Sequence, residues 1–314
     1  MIIAFKPKGL RKIFSGILIE DVAVNLNCAY YHLLVSFGFT KLEARAKAGR
    51  EAPINPQKLI KRGLKVIDVV NVVRSHIEDL IELEGVAYPI SEVELKAPIP
   101  SPSKIICIGL NYLDHIAETG GKPPEEPVVF AKAPSSIIGP YDPIILPKIS
   151  NQVDYEAELA VVIGAKCKDV AENDALNFVL GYMAANDVTA RDLEFKNPIR
   201  LFWSKSLDTF CPIGPGIVLH EDVGNPNNLR ITCKVNGEVV QDSSTKNMMF
   251  NVSKLISYIS SGITLIPGDI LLTGTPSGIG FAKKPPKFLK HGDVVEVYIE
   301  KIGSIINPVI KRHS

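Results

Sequence analysis

Asp154-Tyr155-Glu156-Ala157-Glu158-Leu159-Ala160-Val161-Val162-Ile163-Gly164 is the stretch on which the fold turns. Its second half is a β-branched apolar run stopped by glycine, which reads as a β-strand. Side chains on a strand alternate between faces, so Glu156 and Glu158 share one face about 7 Å apart. Two carboxylates leading into a buried run repel each other and are costly to desolvate. A divalent cation removes that cost, and hard oxygen ligands suit Mg²⁺ or Mn²⁺ better than a thiophilic metal. A solvated strand start is the alternative for an isolated pair, so its companions decide.

Around this strand the chain changes texture once. Residues 2–6 and 16–24 read as short strands, and Cys28–Phe37 as an amphipathic helix followed by a charged segment through Arg50. Pro56 opens a second helix whose apolar positions run from Leu59 to Leu80 near the 3.6-residue period, weakened at Gly63. His32 and His76 sit among apolar neighbours and read as structural. Pro98-Ile99-Pro100-Ser101-Pro102-Ser103 then forms a stiff connector. It divides a small module (1–97) from a larger domain (104–314). Beyond it, apolar runs at 104–109, 128–131, 158–163, 179–187, 215–219, 229–235, 270–274 and 293–299 read as strands, with helices near Asn173–Phe178 and Val252–Ser260. The pattern is β-rich α+β, without β-α-β alternation.

At 314 residues the chain is long enough for one large domain or two unequal ones. Its net charge of +1 gives no electrostatic case for nucleic acid or anionic membrane as a partner. Five scattered cysteines without C-x-x-C spacing argue against a disulfide framework or zinc site and for a reducing compartment. The N-terminal apolar candidate, Phe14 to Val24, is interrupted by Glu20 and Asp21, so a cytoplasmic location is expected.

Four further stretches carry chemistry. His115 and Glu118, three apart, share a helix face, as a surface ion pair or as an imidazole that the carboxylate orients as a general base. Gly120-Gly121-Lys122-Pro123-Pro124 beside them suits a mobile lid. An apolar strand ends in Asp187, a third oxygen donor for the metal. Arg191 follows it and either pairs with the acids or holds a substrate carboxylate. Lys205 lies among apolar and small residues and is either a solvated lysine or, near three carboxylates and a dication, a group that stabilises an enolate. The strand-turn Gly268–Gly280 matches neither phosphate-loop pattern, yet its free N–H groups and the Thr275 hydroxyl could clasp a carboxylate. Neither G-x-S-x-G nor H-E-x-x-H occurs, which argues against a serine hydrolase or zinc protease.

Together these motifs resemble the fumarylacetoacetate hydrolase family over roughly Ser103 to Val309. The resemblance runs through Gly-Leu-Asn-Tyr-x-Asp-His-x-x-Glu (109–118), Phe-x-Lys-x-x-Ser-Ser (130–136), Asp-Tyr-Glu-x-Glu-Leu (154–159) and Asn-Asp-Val-Thr-Ala-Arg-Asp (186–192). It continues in Lys-Ser-Leu-Asp-Thr-Phe-Cys-Pro (205–212), Val-Asn-Gly-Glu-x-x-Gln (235–241) and Pro-Gly-Asp-x-x-x-Thr-Gly-Thr-Pro-Ser-Gly-x-Gly (267–280).

The resemblance implies a mixed β-sandwich roll with the active site at its mouth, in a homodimer. It implies Glu156, Glu158 and Asp187 as metal ligands, His115 and Glu118 as an acid–base dyad, and Lys205, Arg191 and Thr275 as substrate contacts. Two positions depart from the pattern. Glu194 stands where many members carry glutamine, adding negative charge at an expected substrate contact. Leu110 stands where some acylpyruvate-cleaving relatives carry arginine.

The expected activity is Mg²⁺-dependent hydrolysis of a C–C bond in a 2,4-dioxo acid through a metal-bound enolate, with Mn²⁺ or Ca²⁺ as other metals. The alternative is tautomerisation or decarboxylation of oxaloacetate, or isomerisation or hydration of a 2-oxo-dioate, at the same site. A non-catalytic metal-binding scaffold is a further reading; it predicts a broken constellation, whereas every metal and dyad position is filled.

Overall fold

The computed structural model describes residues 1–196 and 199–311. The strand Ala157–Ile163 has all seven residues buried and lies between antiparallel neighbours, Val179–Asn186 on one side and Ile270–Leu272 on the other. Its period-two alternation divides the interior. Leu159, Val161 and Ile163 join the core shared with Ile231, Cys233, Val295 and Val297, whereas Ala160 and Val162 join that shared with Leu33, Leu59, Val70 and Val73. One face is thus covered by a second sheet and the other by helices, giving a three-layer, strand-rich α+β architecture. Fully burying each such aliphatic side chain contributes about 1.5–3 kcal/mol.

The large sheet has twelve strands. From Ala157–Ile163 it extends through Ile270–Leu272 and Ile105–Gly109 to Val128–Lys132. In the other direction it passes Val179–Asn186 and Cys211–Leu219 to Ile2–Pro7, Phe14–Ile19 and Val22–Asn25. The N-terminal strands therefore continue the same sheet, with Ile2 opposite Ile217. The second sheet orders Glu238–Ser244, Arg230–Val235, Val294–Ile299, Gly303–Lys311 and Ile144–Leu146.

Several local expectations change. The helix expected from Pro56 to Leu80 is three pieces, Pro56–Ile60, Lys65–Ser75 and Ile77–Leu80. At the first break Gly63 has φ +61, and a Cβ there would lie 2.0 Å from the Gly164 carbonyl oxygen. The close approach lets Leu64 N–H donate to that oxygen at 2.8 Å. The run 16–24 is a hairpin, turned at Glu20 with φ 50. The charged segment is a helix, Lys41–Glu51, opened by a capping box between Thr40 and Glu43 and buried through Ala44 and Ala48. The expected strand 154–164 pauses at Tyr155–Glu156: Val153–Asp154 pairs with Thr189–Ala190, and the long strand begins at Ala157. The interruption frees Glu156 N–H to donate to Asn186 Oδ1 at 2.9 Å.

Candidate active site

The register of the two central strands sets Ala157 opposite Asn186, so Glu156 and Asp187 meet just beyond the paired ends. Asp187 N–H donates to the Glu156 carbonyl at 2.9 Å. Glu156, Glu158 and Asp187 each offer a carboxylate oxygen, and these oxygens lie within 4.8 Å of one another. All three residues are buried.

Cations surround this triad unevenly. Lys205 Nζ donates to Glu156 Oε2 at 2.9 Å, Asp187 Oδ2 at 2.9 Å and Thr189 Oγ1 at 2.8 Å. Lys132 Nζ donates to Asp187 Oδ1 at 2.6 Å. Arg191 directs Nε to Asp154 at 3.0 Å, Nη1 to Glu194 at 2.8 Å and Nη2 to Glu156. Of the two roles its sequence position allowed, Arg191 has the one that pairs with acids. Glu158 receives only the Gly274 N–H, at 2.7 Å, among its hydrogen bonds in the described residues.

The electrostatics follow. Burial pushes the Glu156 carboxyl up, but Lys205 and Arg191 outweigh it and hold the pKa at about 2. Burial raises Glu158 well above the ordinary glutamate value, and the Asp187 and Glu156 charges raise it further. Burial works against the charged form of Lys205, yet Asp187 and Glu156 raise its pKa overall. Five buried carboxylates (Asp154, Glu156, Glu158, Asp187, Glu194) face three buried cations (Lys132, Arg191, Lys205), leaving two negative charges. An all-oxygen donor set with a deficit of two charges fits a hard divalent cation.

A cavity of about 340 Å³ is lined by His115, by Glu156 and Glu158 of the triad, and by Thr275, Phe130 and Phe281. The imidazole is 8 % exposed, and its Nδ1 lies 3.3 Å from Glu118 Oε1. Thr275 Oγ1 accepts from Gln241 Nε2 at 2.8 Å. A larger groove of about 910 Å³ between the N-terminal helices and residues 137–142 touches none of these groups.

The glycine-rich turn clasps carboxylates, as its free N–H groups suggested, but they are the protein's own. Gly274 N–H donates to Glu158, Gly278 N–H to Glu118 at 2.7 Å and Gly280 N–H to Asp154 at 2.8 Å. Gly274 adopts φ +96, and a Cβ would lie 2.9 Å from Asn111 Cβ. Sequence reasoning gave no role to Asp154, Lys132 or Gln241. Asp154 had a signal, because it extends the every-second-residue series of Glu156 and Glu158. Lys132 lay inside a matched motif as the last residue of a strand. Gln241 had no signal beyond its motif.

The fumarylacetoacetate (FAA) hydrolase C-terminal family matches residues 104–310. Oxaloacetate tautomerase Fahd2a, mitochondrial, of Rattus norvegicus is 50% identical over 222 residues, 71% of each chain. Oxaloacetate tautomerase FAHD2B, mitochondrial, of Homo sapiens is 49% identical over 223 residues, again 71% of each chain. Among solved structures, the fumarylacetoacetate hydrolase of psychrophilic Exiguobacterium antarcticum aligns with TM-score 0.78 and 35% identity, covering 99% of this chain and all of that one. Maleylpyruvate hydrolase from Sphingobium sp. SYK-6, in complex with manganese(II) and pyruvate, aligns over both full lengths with TM-score 0.75 and 26% identity.

These relatives correct the cytoplasmic expectation, since tautomerases about 50% identical are named mitochondrial. The expectation rested on the interrupted apolar run Phe14–Val24 and on scattered cysteines, which argue for a reducing compartment without telling one such compartment from another. Among the described residues no helix is long and apolar enough to cross a membrane.

Proposed function

The chain belongs to the fumarylacetoacetate hydrolase family, and from that premise we propose that it is a divalent-metal-dependent tautomerase of oxaloacetate or a closely related 2-oxo acid. The observation that carries this reading is the shared cavity, whose wall includes His115, paired with Glu118, and Glu156 and Glu158 of the buried acidic triad. Glu156, Glu158 and Asp187 would hold Mg²⁺, with Mn²⁺ or Ca²⁺ as substitutes. A dication there supplies Lewis acidity toward the oxygens of a 2-oxo acid.

The chain's own residues do the rest. Tautomerisation moves one proton between the 2-hydroxyl of the enol and C3, and no bond to water forms or breaks. His115 is the group in the cavity wall suited to that shuttle, because Glu118 fixes the orientation of its ring. Lys205 and Lys132 offset the negative charge that collects on the acids and on an enolate. Arg191 holds Glu156 in place. Phe130 and Phe281 add apolar surface to the cavity lining.

Hydrolysis of an acylpyruvate, the first expectation from the sequence, is the weaker reading. It needs a water aimed at C4 in addition to the dyad, and several relatives near 50% identity carry the tautomerase name. We also propose a small-molecule 2-oxo acid as the partner and a homodimer as the assembly.

Two assays side by side test the reading: ketonisation of enol-oxaloacetate and cleavage of an acylpyruvate, each with EDTA and with Mg²⁺. Metal-dependent acceleration of ketonisation is expected, falling by about 10²–10⁴ in His115→Ala. Rapid acylpyruvate cleavage with ketonisation no faster than in buffer would overturn it.

A further inference from the structure

The helix that carries His115, Leu113–Thr119, has few contacts of its own, although Asn111 and Tyr112 just before it are anchored to residues 248–250 and Thr273. Seven residues are too few for an isolated helix to persist in water. Its N-cap, Tyr112, makes no side-chain capping bond, and only His115 and Ile116 are buried. Exposed Gly120, Gly121, Lys122 and Pro123 follow its C-terminal end, with no regular structure. Yet a proton shuttle must hold its imidazole to within a fraction of an ångström.

Polar latches at both ends meet that need. At the C-terminal end Glu118 Oε2 accepts from Gly278 N–H, but Glu118 also orients His115 and cannot be altered apart from it. At the N-terminal end Ser243 Oγ, on the strand Glu238–Ser244, donates to Asp114 Oδ2 at 2.7 Å. Asn247 Nδ2 donates to the same Ser243 oxygen at 3.1 Å, leaving its hydroxyl proton directed at Asp114. Asp114 Oδ1 in turn accepts the His115 backbone N–H at 2.8 Å. One carboxylate therefore ties the residue bearing the imidazole to the second sheet.

We infer that Asp114 and Ser243 are positioning residues, a latch that fixes where the His115 imidazole sits relative to the metal triad. This rests on the tautomerase reading for its kinetic arm only. Ser243→Ala removes the latch without touching the cavity wall, Ser243→Thr keeps the hydroxyl, and Asp114→Asn weakens the acceptor.

The test measures three quantities on the full chain loaded with Mn²⁺: amide hydrogen exchange over 113–119, broadening of the His115 imidazole resonances by Mn²⁺, and ketonisation of enol-oxaloacetate. In Ser243→Ala, exchange should quicken, the broadening should change, and kcat should fall about 10- to 100-fold. KM and Mn²⁺ affinity should stay at wild-type values, and Ser243→Thr should restore all three readings. Asp114→Asn should lie between. Unchanged exchange and broadening in Ser243→Ala would overturn the inference, as would quicker exchange with kcat intact. A wild type without tautomerase activity would defeat the reaction reading alone; exchange and broadening would still decide the latch.

Discussion

Glu156 and Glu158 stand two residues apart and border two very different regions. On the Glu156 side Asp154, Glu156 and Glu194 converge on Arg191 while Lys205 bridges to Asp187, so almost every charge has an opposite within hydrogen-bonding distance. On the other side Glu158 accepts a backbone N–H and, among the described residues, no hydrogen bond from a side-chain cation. One carboxyl is held near 2 and the other is driven well above the usual range. A fold that satisfies four of five buried acids and leaves the fifth bare has reserved a place for positive charge from outside. The first region is mainly framework; the second is where the proposed cation would find its uncompensated charge.

Breaking the framework side should have the largest effect. Arg191→Ala leaves three buried carboxylates without their guanidinium and should destabilise the fold by about 3–5 kcal/mol in urea unfolding. A loss no greater than that of an exposed arginine would mean the two sides do not differ. Next comes Glu158→Gln, which keeps the shape and removes the bare charge. Divalent-metal affinity by calorimetry should fall about 100-fold or more, above the roughly 10- to 100-fold cost of losing an outer partner. Above the elevated Glu158 value, where the wild-type carboxylate is charged, the metal-free melting temperature should rise by about 2 °C or more because that desolvated charge has gone. Unchanged affinity would remove Glu158 from the metal site.

Glu194→Gln sharpens the contrast more gently. Arg191 keeps Asp154 and Glu156 while the cavity loses one negative charge, so metal affinity should weaken by about tenfold or less, with the fold intact.

The smallest effect is a pair of opposed pH slopes. The Glu156 pKa lies below its ordinary value of 4.5, so its stabilisation is complete above 4.5 and is lost as pH falls toward 2. The Glu158 pKa lies above 4.5, so stability is greatest below 4.5 and declines as pH rises through the elevated value. Thermal melts of metal-free protein should show both slopes, and Mg²⁺ should flatten only the upper one. A single slope of one sign across the range would contradict the division.

How much of this was legible differs residue by residue. Alternation of type along 154–164 was enough to place both glutamates and the buried run. The ordered motifs placed Asp187 and the His115–Glu118 pair. The pause at Tyr155–Glu156 was not legible, because it depends on Asn186 from another strand supplying an acceptor. The break at Gly63 depends on the Gly164 carbonyl, a hundred residues on, which no local pattern reports. The capping box at Thr40–Glu43 was legible in principle, since it follows a fixed spacing, and the abundance of charge there hid it. Which acids the glycine-rich turn would grip depended on backbone directions that composition does not carry.

The pairing of Ile2 with Ile217 has a practical corollary. Cys211–Leu219 is nine consecutive buried residues, and Ile2–Pro7 covers part of its outer margin. A truncated protein starting at residue 104 would present that margin as a bare, greasy seam open to intermolecular strand addition. Such a fragment should clump during expression even with its catalytic groups all in place.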